Sequence, residues 1–110
     1  KMATVSVTNT KLKFNEIKDI VTGTATAADG VEIDYTGKED GRILLILSAA
    51  TAGNATIKKG NMLQSTEDLT VAVKTTEQAI VIESGKYVNS KGKVVISGLS
   101  GLVAAAIELP

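Results

Sequence analysis

Hydrophobic residues recur at every second position through much of this chain. Val5 and Val7 alternate with Thr4, Ser6 and Thr8, and Val31, Ile33 and Tyr35 with Glu32 and Asp34. Leu69, Val71 and Val73 alternate with Thr70 and Ala72. A period of two places one side chain set on each face of a strand, so each stretch predicts a half-buried strand. Leu12 and Phe14 alternate with Lys11 and Lys13 and predict another, after a turn at Asn9-Thr10. Residues 15–21 are ambiguous: Ile17, Ile20 and Val21 fit one side of a short helical turn as well as they fit a loop. Thr22 to Gly30 reads as a loop.

Other segments are apolar throughout. Ile43-Leu44-Leu45-Ile46-Leu47 has no polar side, so Arg42 to Ser48 predicts a central strand covered on both faces, with a short helix as the rival. Ala55–Lys58, Ala79–Glu83 (centred on Ile80-Val81-Ile82) and Val94–Ile96 predict further strands. In a final one, Val103, Ala105, Ile107 and Leu109 share a face. Turns are expected at Gly37–Gly41, Gly53-Asn54, Lys59–Asn61, Ser84–Lys86, Asn89–Gly92 and Gly98–Gly101, where glycine and asparagine supply the dihedral freedom a turn needs. About eight short strands at regular spacing predict an all-β fold: a compact antiparallel β-sandwich or a small jelly-roll-like barrel, one domain over residues 1–110. No segment offers the long crossover helix of a βαβ unit.

Composition agrees with this pattern. Apolar residues make up 44% of the 110, which argues for a packed core rather than disorder. Threonine is as frequent as alanine, and only Phe14, Tyr35 and Tyr87 are aromatic. The core is therefore expected to be aliphatic. Twelve basic side chains balance twelve acidic ones, so no polyanion is attracted and no nucleic-acid partner is expected. No targeting segment is visible at the first residues. The longest apolar runs, Ile43–Leu47 and Leu102–Leu109, are too short to cross a bilayer as helices, and no membrane partner is expected.

Histidine and cysteine are both absent. This removes Ser–His–Asp and Cys–His machinery, thiolate metal sites and the commonest base near neutral pH. Ser84 and Lys86 stand two apart in a turn without a supporting motif. Glu32 and Asp34 share a strand face at a spacing a glycosidase could use, but there is no Trp for a sugar platform. Asp29, Glu32 and Asp34 offer oxygen ligands without the EF-hand spacing. Glu39-Asp40 reads as a hairpin tip, and Glu67-Asp68 as loop carboxylates accepting turn amides. Gly98-x-x-Gly101 and Gly53 to Gly60 lack the rest of a nucleotide-binding loop, and Lys58-Lys59 is a lone basic pair. Tyr35 and Tyr87 suit packing better than base or sugar stacking. Asn54-Ala55-Thr56 is a glycosylation acceptor only in a eukaryotic secretory setting. The expectation is no enzyme, with no catalytic, cofactor-binding or metal residue.

Without such chemistry, assembly or passive binding is the expected work. The Ala-rich final strand suggests a docking edge; alternatively, Ala104 and Ala106 simply lie against a neighbouring sheet. Several segments resemble small virion proteins of tailed bacteriophages and prophages: Arg42-Ile-Leu-Leu-Ile-Leu, Ala55-Thr-Ile-Lys-Lys-Gly-Asn, Glu67-Asp-Leu-Thr-Val-Ala-Val, Ile80-Val-Ile-Glu-Ser-Gly-Lys-Tyr, Gly92-Lys-Val-Val-Ile-Ser-Gly and Val103 to Leu109. The resemblance is to capsid decoration (cement) proteins especially. It implies a non-enzymatic protein that stabilises the capsid surface in the virion after assembly in the bacterial host cytoplasm. Its partners would be the major capsid protein or another virion component, and copies of itself as a homo-oligomer. A neck, tail or other extracellular assembly subunit and a carbohydrate-binding or adhesion β module stand as alternatives.

Overall fold

The computed structural model describes residues 4–26, 29–35, 43–60 and 67–110, with backbone only at 84 and 85. Among the described residues ten strands and one helical turn follow in chain order. They are β1 (Val5–Val7), β2 (Thr10–Lys11), β3 (Gly23–Thr24), β4 (Val31–Asp34), β5 (Ile43–Ala49), β6 (Gly53–Ile57), β7 (Leu69–Val73), β8 (Gln78–Ile80), α1 (Ser84–Tyr87), β9 (Lys93–Ser97) and β10 (Leu102–Glu108).

The strands form two sheets. The first runs β1-β4-β9-β6-β7; the second runs β2-β10-β5-β8, with β3 also paired to β10. Two pairs are parallel, β1 with β4 and β2 with β10, and the other six are antiparallel. The fold is all-β, as the alternation predicts, but both sheets are mixed. Parallel pairs arise because β1 and β2 join partners far along the chain rather than folding back as hairpins. Among the described residues neither sheet closes on itself, so there is no closed barrel.

The two sheets enclose one aliphatic core. Val31, Ile33, Ile57, Val94 and Ile96 from the first meet Leu45, Leu47, Leu102, Ala104 and Ala106 from the second. Asn9 holds the crossing between sheets. Its Nδ2 donates to the Asp34 carbonyl at 2.9 Å and to the Glu108 carboxylate at 2.7 Å, one at the end of β4 and the other on β10. At the far end the Ala49 amide, closing β5, donates to the Lys74 carbonyl just beyond β7.

Several expectations change. The Asn9-Thr10 turn is instead the start of β2, and Thr10 is buried. The strand through Phe14 ends at Lys11; Phe14 and Asn15 form a turn with Asn15 at φ 61°. Residues 15–21 form no regular element, and the expected loop at 22–30 contains β3. Gly53-Asn54 opens β6 rather than forming a turn, and β8 stops at Ile80. Ser84 to Tyr87 is a helical turn. The turns at Asn89–Gly92 and Gly98–Gly101 are present, with Gly92, Gly98 and Gly101 at positive φ. Gly37–Gly41, including Glu39-Asp40, lies outside the described residues, as do Arg42 and Asn61.

Candidate functional site

The outer faces of the two sheets differ in chemistry. On the first sheet, register aligns Ser6 with Glu32, Asp34 with Lys93, Thr56 with Thr70 and Ser97, and Asn54 with Ala72. That is a polar, solvated face of the ordinary kind. On the second sheet, β5 turns Ile43, Leu45, Leu47 and Ala49 to the core and leaves Leu44, Ile46 and Ser48 outside. Ile107 lies opposite Leu44, Ala105 and Ala79 opposite Ile46, and Val103 opposite Ser48. Val81 continues this side beyond β8 and is 51% exposed. These positions carry no charged side chain. The predicted two-sided covering of β5 thus holds on its inner side, while Leu44 and Ile46 remain half-buried outside.

A strap from Leu12 to Thr22 borders this face. The Leu12 amide donates to the Glu108 carbonyl at 2.9 Å, and the Val21 amide to Thr10 Oγ1 at 3.0 Å. Thr10 pairs with Ile107 and shares its side of the sheet. The return limb is therefore tied to the outer face beside β10. Ala105 and Ile107, outside the core cluster, are nonetheless buried there. The strap holds apolar side chains in water: Phe14 is 80% exposed, Ile17 96%, Ile20 54% and Val21 42%. Fully burying one such side chain is worth about 1.5–3 kcal/mol. Four large apolar side chains exposed on one strap make it a candidate interaction site.

The final strand is not a docking edge. β10 lies inside its sheet, with β5 on one side and β2 and β3 along the other. Ala104 and Ala106 are completely buried and face the first sheet, so their small side chains serve close packing between layers. Among the described residues the edges are β1 and β7 in one sheet, and β8 and the short β2 and β3 in the other. Between β7 and β8 the layers part over an open cleft of about 180 Å³, lined by Leu47, Val71, Val73 and Ile80 among others. A second groove, about 330 Å³, lies at Val7, Asn9, Lys11, Asp34 and Glu108.

The residues considered for chemistry are dispersed. Glu32 accepts a hydrogen bond from Ser6 Oγ at 3.2 Å, and Asp34 lies 3.9 Å from Lys93 Nζ; both acids point to the outer face of the first sheet. Asp29 belongs to the turn before β4. Among the described residues no three His, Cys, Asp or Glu side chains gather as a metal set. Lys86 Nζ lies 3.0 Å from Glu83 Oε1, and that hydrogen bond holds the ammonium pKa above its ordinary value. A Ser–Lys base requires the opposite shift. Asp68 Oδ1 accepts the Lys59 amide at 2.8 Å, the turn role expected of it, and Glu67, Lys58 and Lys59 are exposed. Asn54 is exposed on β6. Gly60 packs against the Val88 carbonyl, where a Cβ would come within 2.0 Å. Tyr35 is a core residue and Tyr87 packs against that core. Burial raises the Tyr35 phenol above its ordinary 10.0, and among the described residues its hydroxyl has no hydrogen-bond partner.

Sequence reasoning missed Thr10, which anchors the strap, and Ile17 as an exposed feature. The Lys-Leu-Lys-Phe alternation imitates a half-buried strand, so the outward placement of Phe14 left no local signal. Comparison with family models, curated proteins and solved structures finds no match for this chain. Among the described residues no helix is long and apolar enough to cross a membrane.

Proposed function

We propose that this chain is a non-enzymatic virion structural protein that decorates and stabilises a capsid surface. The observation that carries the reading is the unequal pair of outer faces, one polar and one apolar, with the apolar strap beside the second. A two-layer protein that works alone gains nothing from a third hydrophobic surface; a subunit of an assembly uses it. The sequence supports a packing role, since it lacks His and Cys. The virion as the assembly comes from the resemblance of residues 42–109 to small tailed-phage proteins. The finer fold class we assign is an open β-sandwich. Its partners in this reading are the major capsid protein or another virion component, together with copies of itself.

The test is co-sedimentation of purified protein with assembled heads and, separately, with tails. Saturable, stoichiometric capture by heads is the expected result. Capture by tails alone moves the protein to the neck or tail, and capture by neither overturns the virion reading.

A further inference from the structure

We infer that β7, at the edge of the first sheet, pairs antiparallel with β7 of a second copy of this chain, in a two-fold contact centred on Val71. The place of that contact in an assembly rests on the function proposed above; the contact itself rests on the strand. Among the described residues β7 pairs with β6 on one side and with no strand on the other. A strand so placed offers a row of backbone N–H and C=O groups to any chain that can match it. Edges are ordinarily blunted by shortness, by charge, by proline or by a covering segment. β1 and β8 have three residues each, and β2 and β3 two. β7 has five, Leu69-Thr70-Val71-Ala72-Val73, with no charge and no proline among them. It is the longest edge among the described residues and the least protected.

The flanking residues single out the occupant. A two-fold axis normal to the sheet keeps each face continuous, so inner residues oppose inner ones and a slip of one residue is excluded. Centred on Val71, the pairing sets Leu69 opposite Val73, Thr70 opposite Ala72, and Val71 opposite itself. One step beyond each end it sets Asp68 of one copy opposite Lys74 of the other, twice over. Both residues are exposed, and by alternation both belong to the outer side with Thr70 and Ala72. Opposite charges facing each other across two strands favour their pairing. Centring on Thr70 sets Asp68 against Ala72, and centring on Ala72 sets Lys74 against Thr70, so neither register matches the charges. An unrelated strand would need the same acid and base at the same spacing; a second copy carries them by symmetry.

Both ends of β7 are held before a partner arrives. Asp68 Oδ1 accepts the Lys59 amide at 2.8 Å, and the Lys74 amide donates to Gln78 Oε1 at 2.8 Å. The inner side gains cover from the same contact. Val73 is buried, whereas Leu69 and Val71 pack against the core and stay half-buried. Val71 lines the open cleft between β7 and β8. A second β7 alongside brings its own inward side chains toward that opening.

The measurement is sedimentation equilibrium of the full chain, without capsids, from about 1 µM to about 0.5 mM. Wild type is compared with Lys74→Glu, with Asp68→Lys and with Lys91→Glu, an exposed turn residue outside β7. Circular dichroism and thermal melting establish that each variant is folded. Wild type is expected to pass from the mass of one 11.4 kDa chain to twice that mass. Each flank variant alone sets like charges opposite each other and is expected to weaken association about fivefold or more. The Lys91→Glu control is expected to leave it unchanged. Mixed in equal amounts, Lys74→Glu and Asp68→Lys regain both ion pairs, and the mixture is expected to associate about as tightly as wild type. A wild type that stays monomeric across the range overturns the inference. So does a dimer indifferent to Lys74→Glu, or a mixture of folded variants no tighter than either alone. Wild type against Lys74→Glu decides the matter even if loss of the Lys59 contact unfolds Asp68→Lys. Head capture is scored separately. A monomer captured by heads sinks the edge contact and spares the virion reading; a dimer captured by neither heads nor tails does the reverse.

Discussion

Tyr35 places a hydroxyl inside an aliphatic core, without a hydrogen-bond partner among the described residues. An unpaired buried polar group costs about 1–3 kcal/mol, so Tyr35→Phe should leave stability unchanged or raise it by about 1 kcal/mol. The phenol's raised pKa has a directional consequence. Above pH 10.0 the unfolded chain loses a proton that the native chain keeps. Stability should then fall with rising pH, by about 1.4 kcal/mol per pH unit for this one group. Urea denaturation between about pH 8 and pH 11.5 checks this: the Tyr35-dependent part of the decline should vanish in Tyr35→Phe. Gly30 fixes a different constraint. It has φ +82°, and a Cβ there would lie 1.8 Å from the Ile96 carbonyl oxygen. Gly30→Ala should therefore cost about 3 kcal/mol or more, as strain and backbone displacement combine. Asn9→Ala should cost about 1–3 kcal/mol, since it removes both hydrogen bonds across the sheets and leaves their acceptors to find water.

At the scale of elements, alternation was readable wherever a polar residue marked each outward position. β4 and β7 follow it directly. β5 could be read as central from its unbroken apolar run, but the run could not say which side would stay open. That depends on the strand order, which brings β10 and β8 beside it. β2 and β3 were not legible because two residues are too few to show a period. Their existence depends on β10 being available as a partner. The final strand was recognised, yet its shared face of Val103, Ala105 and Ile107 is the outer one, while Leu102, Ala104 and Ala106 form the core side. The two sides of β5 give this register an energetic test. Leu45 is fully buried, so Leu45→Ala should cost about 2–5 kcal/mol. Leu44→Ala, on the half-buried outer side, should cost about 1 kcal/mol in the isolated monomer. Equilibrium denaturation at low protein concentration separates the two, and equal losses would contradict the assigned faces.

For the whole molecule, two hydrophobic layers already close over one core, so the apolar outer face is an addition to the fold rather than part of it. The candidate surface was half legible. The unbroken apolar run Ile43–Leu47 predicts a strand covered on both sides, and its outer positions Leu44 and Ile46 are half-buried; the strap was hidden in a pattern that resembled a strand.

The place of β10 also governs how the chain reaches its native form. It is the final strand in sequence, yet it is the ladder on which β2, β3 and β5 assemble. Thr10 must find Ile107 and Thr24 must find Val103 across loops that consume most of the polypeptide. During synthesis, the second sheet cannot form until β10 has emerged from the ribosome. Closure over such separations is slow, so refolding is expected in the millisecond-to-second range rather than in microseconds. Until then, the apolar residues of β5 and the strap have no settled neighbours, and a cell making this protein rapidly has reason to keep a chaperone near the nascent chain.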